Sequence, residues 1–160
     1  MRRTSTLWVC GAGLLALAAP CGRDPARVTT AGLALRLELQ DTAGRSARRF
    51  DAGKPVGLVL EARNAGQAPL RLEFPTARTH DFRIVDAGGK ELWRWSHGRL
   101  FAQMLTQIEL APGELRRFAA AWDQRDASGS LAAPGRYHVL ATLACSPSPP
   151  PAGPLELEIE

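Results

Sequence analysis

Ser96 and His97 form a tempting adjacent nucleophile and base pair. Neighbouring residues of a strand point to opposite faces, so this pair rarely makes the contact that nucleophilic catalysis needs. No serine elbow motif accompanies it. His80, His97 and His138, together with Met104 and Cys145, are the residue types of a copper site. None has the close spacing of a ligand pair, and all three histidines read as solvated surface residues. Glu156 and Glu158 sit two apart and read as the wet face of a last strand. Gly88 and Gly89 read as a hairpin turn and not as a phosphate cradle. No constellation for catalysis, metal or cofactor emerges, so the chain reads as a non-enzyme without a cofactor.

The segment Glu91-Leu92-Trp93-Arg94-Trp95-Ser96-His97-Gly98-Arg99-Leu100-Phe101 is different. Trp93 and Trp95 lie two apart, hence on one strand face. Either both pack in the core, or Trp95 and the loop Ser96–Leu100 are displayed for a partner, because Trp and Arg are frequent interface anchors. On the second reading Trp95, Ser96, Arg99 and Phe101 are the binding candidates. Arg94 or Arg99 is the candidate basic anchor, and Asp123–Ala133 is a second candidate loop.

These residues must be held by strands. Leu33, Leu35, Leu37 and Leu39 alternate with Ala34, Arg36 and Glu38; Val56, Leu58, Leu60 and Ala62 alternate with Gly57, Val59 and Glu61. Tyr137, Val139, Ala141 and Leu143 repeat the pattern, as do Leu155, Leu157 and Ile159. A period of two gives each strand one apolar face and one wet face. Shorter runs follow at Leu70–Phe74, Phe82–Val85, Leu92–Trp95, Ile108–Leu110 and Leu115–Trp122. Turn residues separate them: Asn64 to Pro69, Asp86 to Lys90, Pro112-Gly113 and Pro134-Gly135. About nine short strands, each with one greasy face, predict an all-β fold of two packed antiparallel sheets. One helical turn is expected at Leu100–Leu105. The Pro-rich loop 146–154 is expected to be extended spacer chain.

The N-terminus reads as a separate element. Arg2 and Arg3 precede an apolar run from Leu7 to Leu17, and Ala16-Leu17-Ala18 offers small residues at the positions a signal peptidase reads. Residues 1–18 are therefore expected to be a signal peptide and 19–31 a linker, with the folded domain at 32–160. The run is too short to span a bilayer. Leu17-Ala18-Ala19-Pro20-Cys21 resembles a bacterial lipoprotein box, departing from it at Pro20 and in the spacing of Leu17. An exported, periplasmic or envelope location follows, with membrane attachment only through a lipid on Cys21. In an oxidising compartment Cys21 and Cys145 can instead form a disulfide. If Cys21 is lipidated, Cys145 is a lone thiol.

Composition narrows the class further. The 160 residues carry 20 Lys plus Arg against 16 Asp plus Glu, a formal charge of +4. That excess is too weak to argue for nucleic acid, and no basic run is interleaved with aromatics. Eighteen of the cations are Arg and Asn occurs once, a skew typical of a GC-rich coding sequence. A 45% hydrophobic fraction suits a globular chain, while 15 Gly and 12 Pro favour many turns. A domain this long can bury roughly two-thirds of its unfolded surface, which argues against extended disorder.

An ordered set of residues resembles a known family. Phe74, Asp81-Phe82, Val85-Asp86, Gly89-Lys90, Trp93-Arg94-Trp95-Ser96, Phe101, Pro112-Gly113-Glu114, Trp122-Asp123 and Pro134-Gly135 with Tyr137 are similar to the bacterial BsuPI family. Its founding member is described as an intracellular proteinase inhibitor. The resemblance runs from about Val56 to Leu143. It implies an immunoglobulin-like antiparallel β-sandwich of about 7–9 strands and a function as a proteinase inhibitor, with a serine protease as the partner class. No reactive-site residue of the family transfers to a position here, and the export signal departs from an intracellular role. The expectation is non-covalent protein–protein binding through an exposed loop. The alternative is a non-catalytic, envelope-associated immunoglobulin-like interaction module.

Overall fold

The computed structural model describes residues 26–160. The signal peptide expected at 1–18 and the lipidation candidate Cys21 lie outside the described residues. Eleven strands form three hydrogen-bonded sets, and the predicted all-β sandwich is what they build.

The first sheet contains β1 (Arg27–Thr30), β2 (Leu33–Gln40), β4 (Val56–Asn64) and β9 (Leu115–Trp122), in the order β1-β2-β4-β9. All its pairings are antiparallel. The second contains β3 (Arg49–Phe50), β6 (His80–Asp86), β7 (Glu91–Arg94), β10 (Gly135–Leu143) and β11 (Ala152–Ile159), in the order β3-β11-β10-β6-β7. A two-stranded ribbon, β5 (Leu70–Phe74) with β8 (Thr106–Leu110), stands apart.

The odd–even pattern becomes the core. Leu33, Leu35, Leu37 and Leu39 of β2 and Leu58, Leu60 and Ala62 of β4 are buried against Val139, Ala141 and Leu143 of β10 and Leu155 and Leu157 of β11. Trp122 of the first sheet meets Tyr137 of the second edge to face at 6.2 Å. Burying each such Leu contributes about 1.5–3 kcal/mol, so parity alone nearly dictates which face turns inward. Phe74 and Leu110 carry the ribbon into the same core.

Local chemistry shapes the connections. Asp86 Oδ1 accepts hydrogen bonds from the amides of Gly88 and Lys90, and Gly89 takes φ +84°, closing the β6–β7 hairpin. Gly153 (φ +109°) lies at the irregularity between β10 and β11, where a Cβ would sit 2.5 Å from the Val139 carbonyl oxygen.

Several expectations give way. The expected linker 19–31 ends in a strand, since residues 27–30 form β1 and pair with β2 from Arg27↔Arg36 to Thr30↔Leu33. The two-residue β3 pairs in parallel with β11, so the sandwich is not wholly antiparallel. With β1 and β3 the strand number rises from about nine to eleven. The Pro-rich loop 146–154 is shorter than expected, because β11 already begins at Ala152, opposite Ala141. The helical turn expected at Leu100–Leu105 is absent: the segment runs without regular structure between β7 and β8. A shared apolar side stabilises a helical turn only if a surface receives it. Here only Phe101 docks, while Leu100, Met104 and Leu105 are exposed.

Candidate functional site

The Trp93 to Phe101 segment leaves the edge strand β7 and crosses toward the ribbon strand β8. Its entry is fixed by Asp81 on β6. Ser96 donates both its amide (3.1 Å) and its hydroxyl (2.6 Å) to the Asp81 carboxylate. Arg78 and Arg94 approach the same carboxylate at 3.5 and 3.7 Å. A buried carboxylate with two donors and two cations is a strong clamp. The Ser96 hydroxyl is thereby committed to Asp81, while His97 is exposed in the following turn.

Beside the clamp lies an aromatic stack. Trp95, half-buried, lies on the His80 ring at 4.3 Å with 27° between planes. Phe82 and Phe118 close on His80 at 5.5 and 5.2 Å, one from each sheet. His80 is 9% exposed, contrary to the expectation of a solvated residue. Its place on β6, in step with the buried Phe82 and Ile84, puts it on the inward face. Its Nδ1 meets the Thr79 hydroxyl at 3.0 Å, and its Nε2 is the buried side-chain atom left without a partner among the described residues. Burial pushes its pKa down, Asp81 opposes this, and Arg99 adds to it.

Arg99 folds back over the loop. Its Nε donates to the Trp95 carbonyl at 2.8 Å, and its guanidinium covers the Trp95 ring at 4.6 Å. Phe101 meets the same ring at 5.7 Å. Arg94 donates to both oxygens of Glu91, at 3.0 and 2.7 Å, and holds the Glu91 carboxyl below its ordinary value. Both arginines expected as a free basic anchor are thus engaged with their own chain. Leu100, beyond this stack, is 100% exposed.

Trp95, Ser96, Arg99 and Phe101 are brought together at the base of one loop. Sequence reasoning missed Asp81, which clamps that base from 15 residues away, and placed Leu100 both at the end of the candidate loop and in a helical turn without naming it among the binding residues. The other candidates scatter. His138 lies on the outward side of β10 and His97 in the turn. Among the described residues no three His, Cys, Asp or Glu side chains are grouped to hold a metal ion. Cys145 is buried after β10, and burial pushes its thiol up, which disfavours the nucleophilic thiolate. The second candidate loop, Asp123–Ala133, is braced by Asp126, which accepts from the amides of Ser128 and Ser130.

No curated protein matches the chain. Among solved structures, the C-terminal domain of wzt is similar at 14% identity and TM-score 0.48, over 84% of this chain and 77% of that one. The Pseudomonas fluorescens alkylpurine DNA glycosylase AlkC, bound to DNA containing an abasic site analog, is similar at 17% identity and TM-score 0.45, over 79% of this chain and 30% of that one. A mutant β-glucosidase from Listeria innocua in complex with laminaribiose reaches 10% identity and TM-score 0.41, over 79% of this chain and 16% of that one. The chain thus spans under a third of the length of either enzyme, and none of the three likenesses bears on function. The family described as intracellular proteinase inhibitor, BsuPI, matches residues 42–148, two-thirds of the chain and all of the clamp, stack and loop. This chain belongs to the BsuPI intracellular proteinase inhibitor family.

Proposed function

We propose that the protein inhibits a serine protease without chemistry of its own, by seating the loop between β7 and β8 in the protease cleft. The observation that carries this reading is the presentation of Leu100: a wholly exposed apolar side chain next to a loop base pinned by Asp81, Trp95 and Arg99. A fixed loop has little conformational freedom left to lose on binding, so more of the contact energy appears as affinity. Trp95, Ser96, Arg99 and Phe101 act in this reading as the frame, and Leu100 is the side chain that enters the partner. Because Arg94 and Arg99 are engaged, the loop offers an apolar anchor and suits a protease with an apolar primary pocket more than one with a trypsin-like acidic pocket.

Titration of the purified chain against subtilisin-like, chymotrypsin-like and trypsin-like proteases tests this. Inhibition of the first two, lost in Leu100→Asp with the fold intact, is expected. No inhibition of any of them at micromolar excess refutes it. We also place the protein outside the cytoplasm, on the strength of residues 1–18. Mass spectrometry of the mature N-terminus tests that part and reads the state of Cys21.

A further inference from the structure

One buried titratable group, His80, plays no part in the loop's contact with a partner. β6 carries it inward, in step with Phe82 and Ile84, and β10 sets Leu143 opposite. It is 9% exposed, with Phe82 and Phe118 against it and Trp95 stacked on it at 4.3 Å. A neutral ring suits this place. When Nδ1 keeps the proton and donates it to the Thr79 hydroxyl at 3.0 Å, Nε2 is left as a bare lone pair without a partner among the described residues. A second proton changes that. Both nitrogens then carry N–H groups, and Nε2 becomes a buried, charged donor with no acceptor.

The surroundings do not offset such a charge. Burial, the largest influence, lowers the His80 pKa; Asp81 raises it through space and Arg99 of the loop lowers it further. Asp81 follows His80 on the strand and points to the opposite face, where Ser96, Arg78 and Arg94 already hold its carboxylate. β9 brings Phe118, with the cationic Arg116 two residues away on the same face, and β10 brings the uncharged Leu143. Trp95 has a π face to offer an imidazolium, but its ring already carries the Arg99 guanidinium at 4.6 Å, and two cations at one ring repel.

We propose that proton uptake by His80 undocks the loop, so that inhibition holds near neutral pH and is released in acid; this rests on the reading of the loop as the inhibitory element. Of the three rings packed on His80, Phe82 and Phe118 are buried in the core and Trp95 is half-buried, so water reaches a charged His80 by displacing Trp95. The Trp95 ring is the seat of both Arg99 and Phe101, the two neighbours of Leu100. When it moves, both lose their seat, and the loop regains the freedom that binding must remove. A protease that takes only the docked loop then binds in proportion to the neutral fraction of His80, and affinity falls about tenfold for each pH unit below the midpoint.

An NMR titration of the intact chain from about pH 7.5 to about pH 4.5 tests the switch without any protease. The His80 ring, the Trp95 indole N–H and the amides of Arg99 and Leu100 should shift with one midpoint below the ordinary 6.5, while the Trp122 indole stays in place. His80→Phe keeps an aromatic ring in the stack and has no proton to take up, so its Trp95 indole should show no such transition. Inhibition of a subtilisin-like protease should weaken about tenfold per pH unit below the midpoint in the wild type, and not in His80→Phe at the same pH. The proposal falls if His80 titrates while Trp95 and Leu100 stay in place, or if Trp122 moves with them, the mark of general unfolding. It falls equally if no transition occurs above about pH 4.5, if His80→Phe shows the same transition, or if inhibition is constant through it. Should His80→Phe not fold, the shared midpoint within the wild type decides. A loop that undocks with His80 in a chain that inhibits no protease supports the switch and overturns the inhibitory reading alone.

Discussion

Replacing Asp81 by Ala should show how far the candidate loop depends on one carboxylate. Asp81 is buried and accepts two hydrogen bonds from Ser96, at 3.1 and 2.6 Å, with Arg78 and Arg94 beside it. A hydrogen bond to a charged group is worth about 1.5–3 kcal/mol, and truncation also leaves the Ser96 amide without its acceptor and takes a counter-charge from Arg78 and Arg94, the latter keeping Glu91. Reorganisation of an exposed loop and solvation of the arginines recover part of that. The expected net loss is about 2–4 kcal/mol. For a domain of this size, about 4 °C per kcal/mol converts it to a fall in Tm of about 8–16 °C. Ser96→Ala removes only the hydroxyl bond and should cost about 1–1.5 kcal/mol. The double variant should melt close to Asp81→Ala alone, because Ser96 Oγ has nothing left to donate to, giving a coupling of about 1 kcal/mol or more. Thermal unfolding followed by circular dichroism reads all four proteins. Additive losses, or an unchanged Tm for Asp81→Ala, would refute the clamp. Protease inhibition should fall further in Asp81→Ala than in Ser96→Ala.

Other outcomes follow from the same geometry. Leu100→Asp should change Tm by no more than a typical surface substitution, about 0.5 kcal/mol, while removing inhibition; a large fall in Tm would mean that Leu100 packs on the fold. Burial lowers the pKa of His80 from its ordinary 6.5, so the unfolded chain binds the proton more readily. Stability is therefore full above that ordinary value, declines as pH falls through it, and levels off below the depressed folded value. The slope should not exceed about 1.4 kcal/mol per pH unit, and urea midpoints of wild type and His80→Phe between about pH 7 and pH 5 should diverge. Gln124, buried with φ +61°, donates to the carbonyls of Asp51 and Lys54 and accepts from the Gly53 amide. Gln124→Ala removes the side-chain partner of the Gly53 amide and the Lys54 carbonyl, while the Asp51 carbonyl keeps the Lys54 amide, and should cost about 1–3 kcal/mol, read as a fall in the urea midpoint.

The long strands were legible because parity is a local property. Leu33 to Leu39, Val56 to Ala62 and Tyr137 to Leu143 announce their inward faces without reference to any partner. β1 and β3 were not legible, since two or four residues at a sheet edge exist as strands only through the neighbours they pair with. His80 was misjudged by residue type, although its step with Phe82 and Ile84 carried the signal. Trp95, Ser96, Arg99 and Phe101 were found as a cluster because they are close in sequence. Asp81 could not be found that way: its role depends on the β6–β7 pairing, which sets Arg83 opposite Arg94 and brings Ser96 alongside. The row of Arg27, Arg36, Glu61 and Arg117 across β1, β2, β4 and β9 likewise needs the register, which no single strand reveals.

The two strands that carry the candidate loop are each tethered before the loop begins: β7 to β6 in the large sheet, and β8 to β5 in the separate ribbon. A chain clipped beside Leu100 would therefore remain one particle, its two new ends still zipped to different neighbours. Reclosure would face only the small entropic cost of a short loop. A protease that cuts there would find the severed ends still lodged within reach of each other, and scission alone would not set it free.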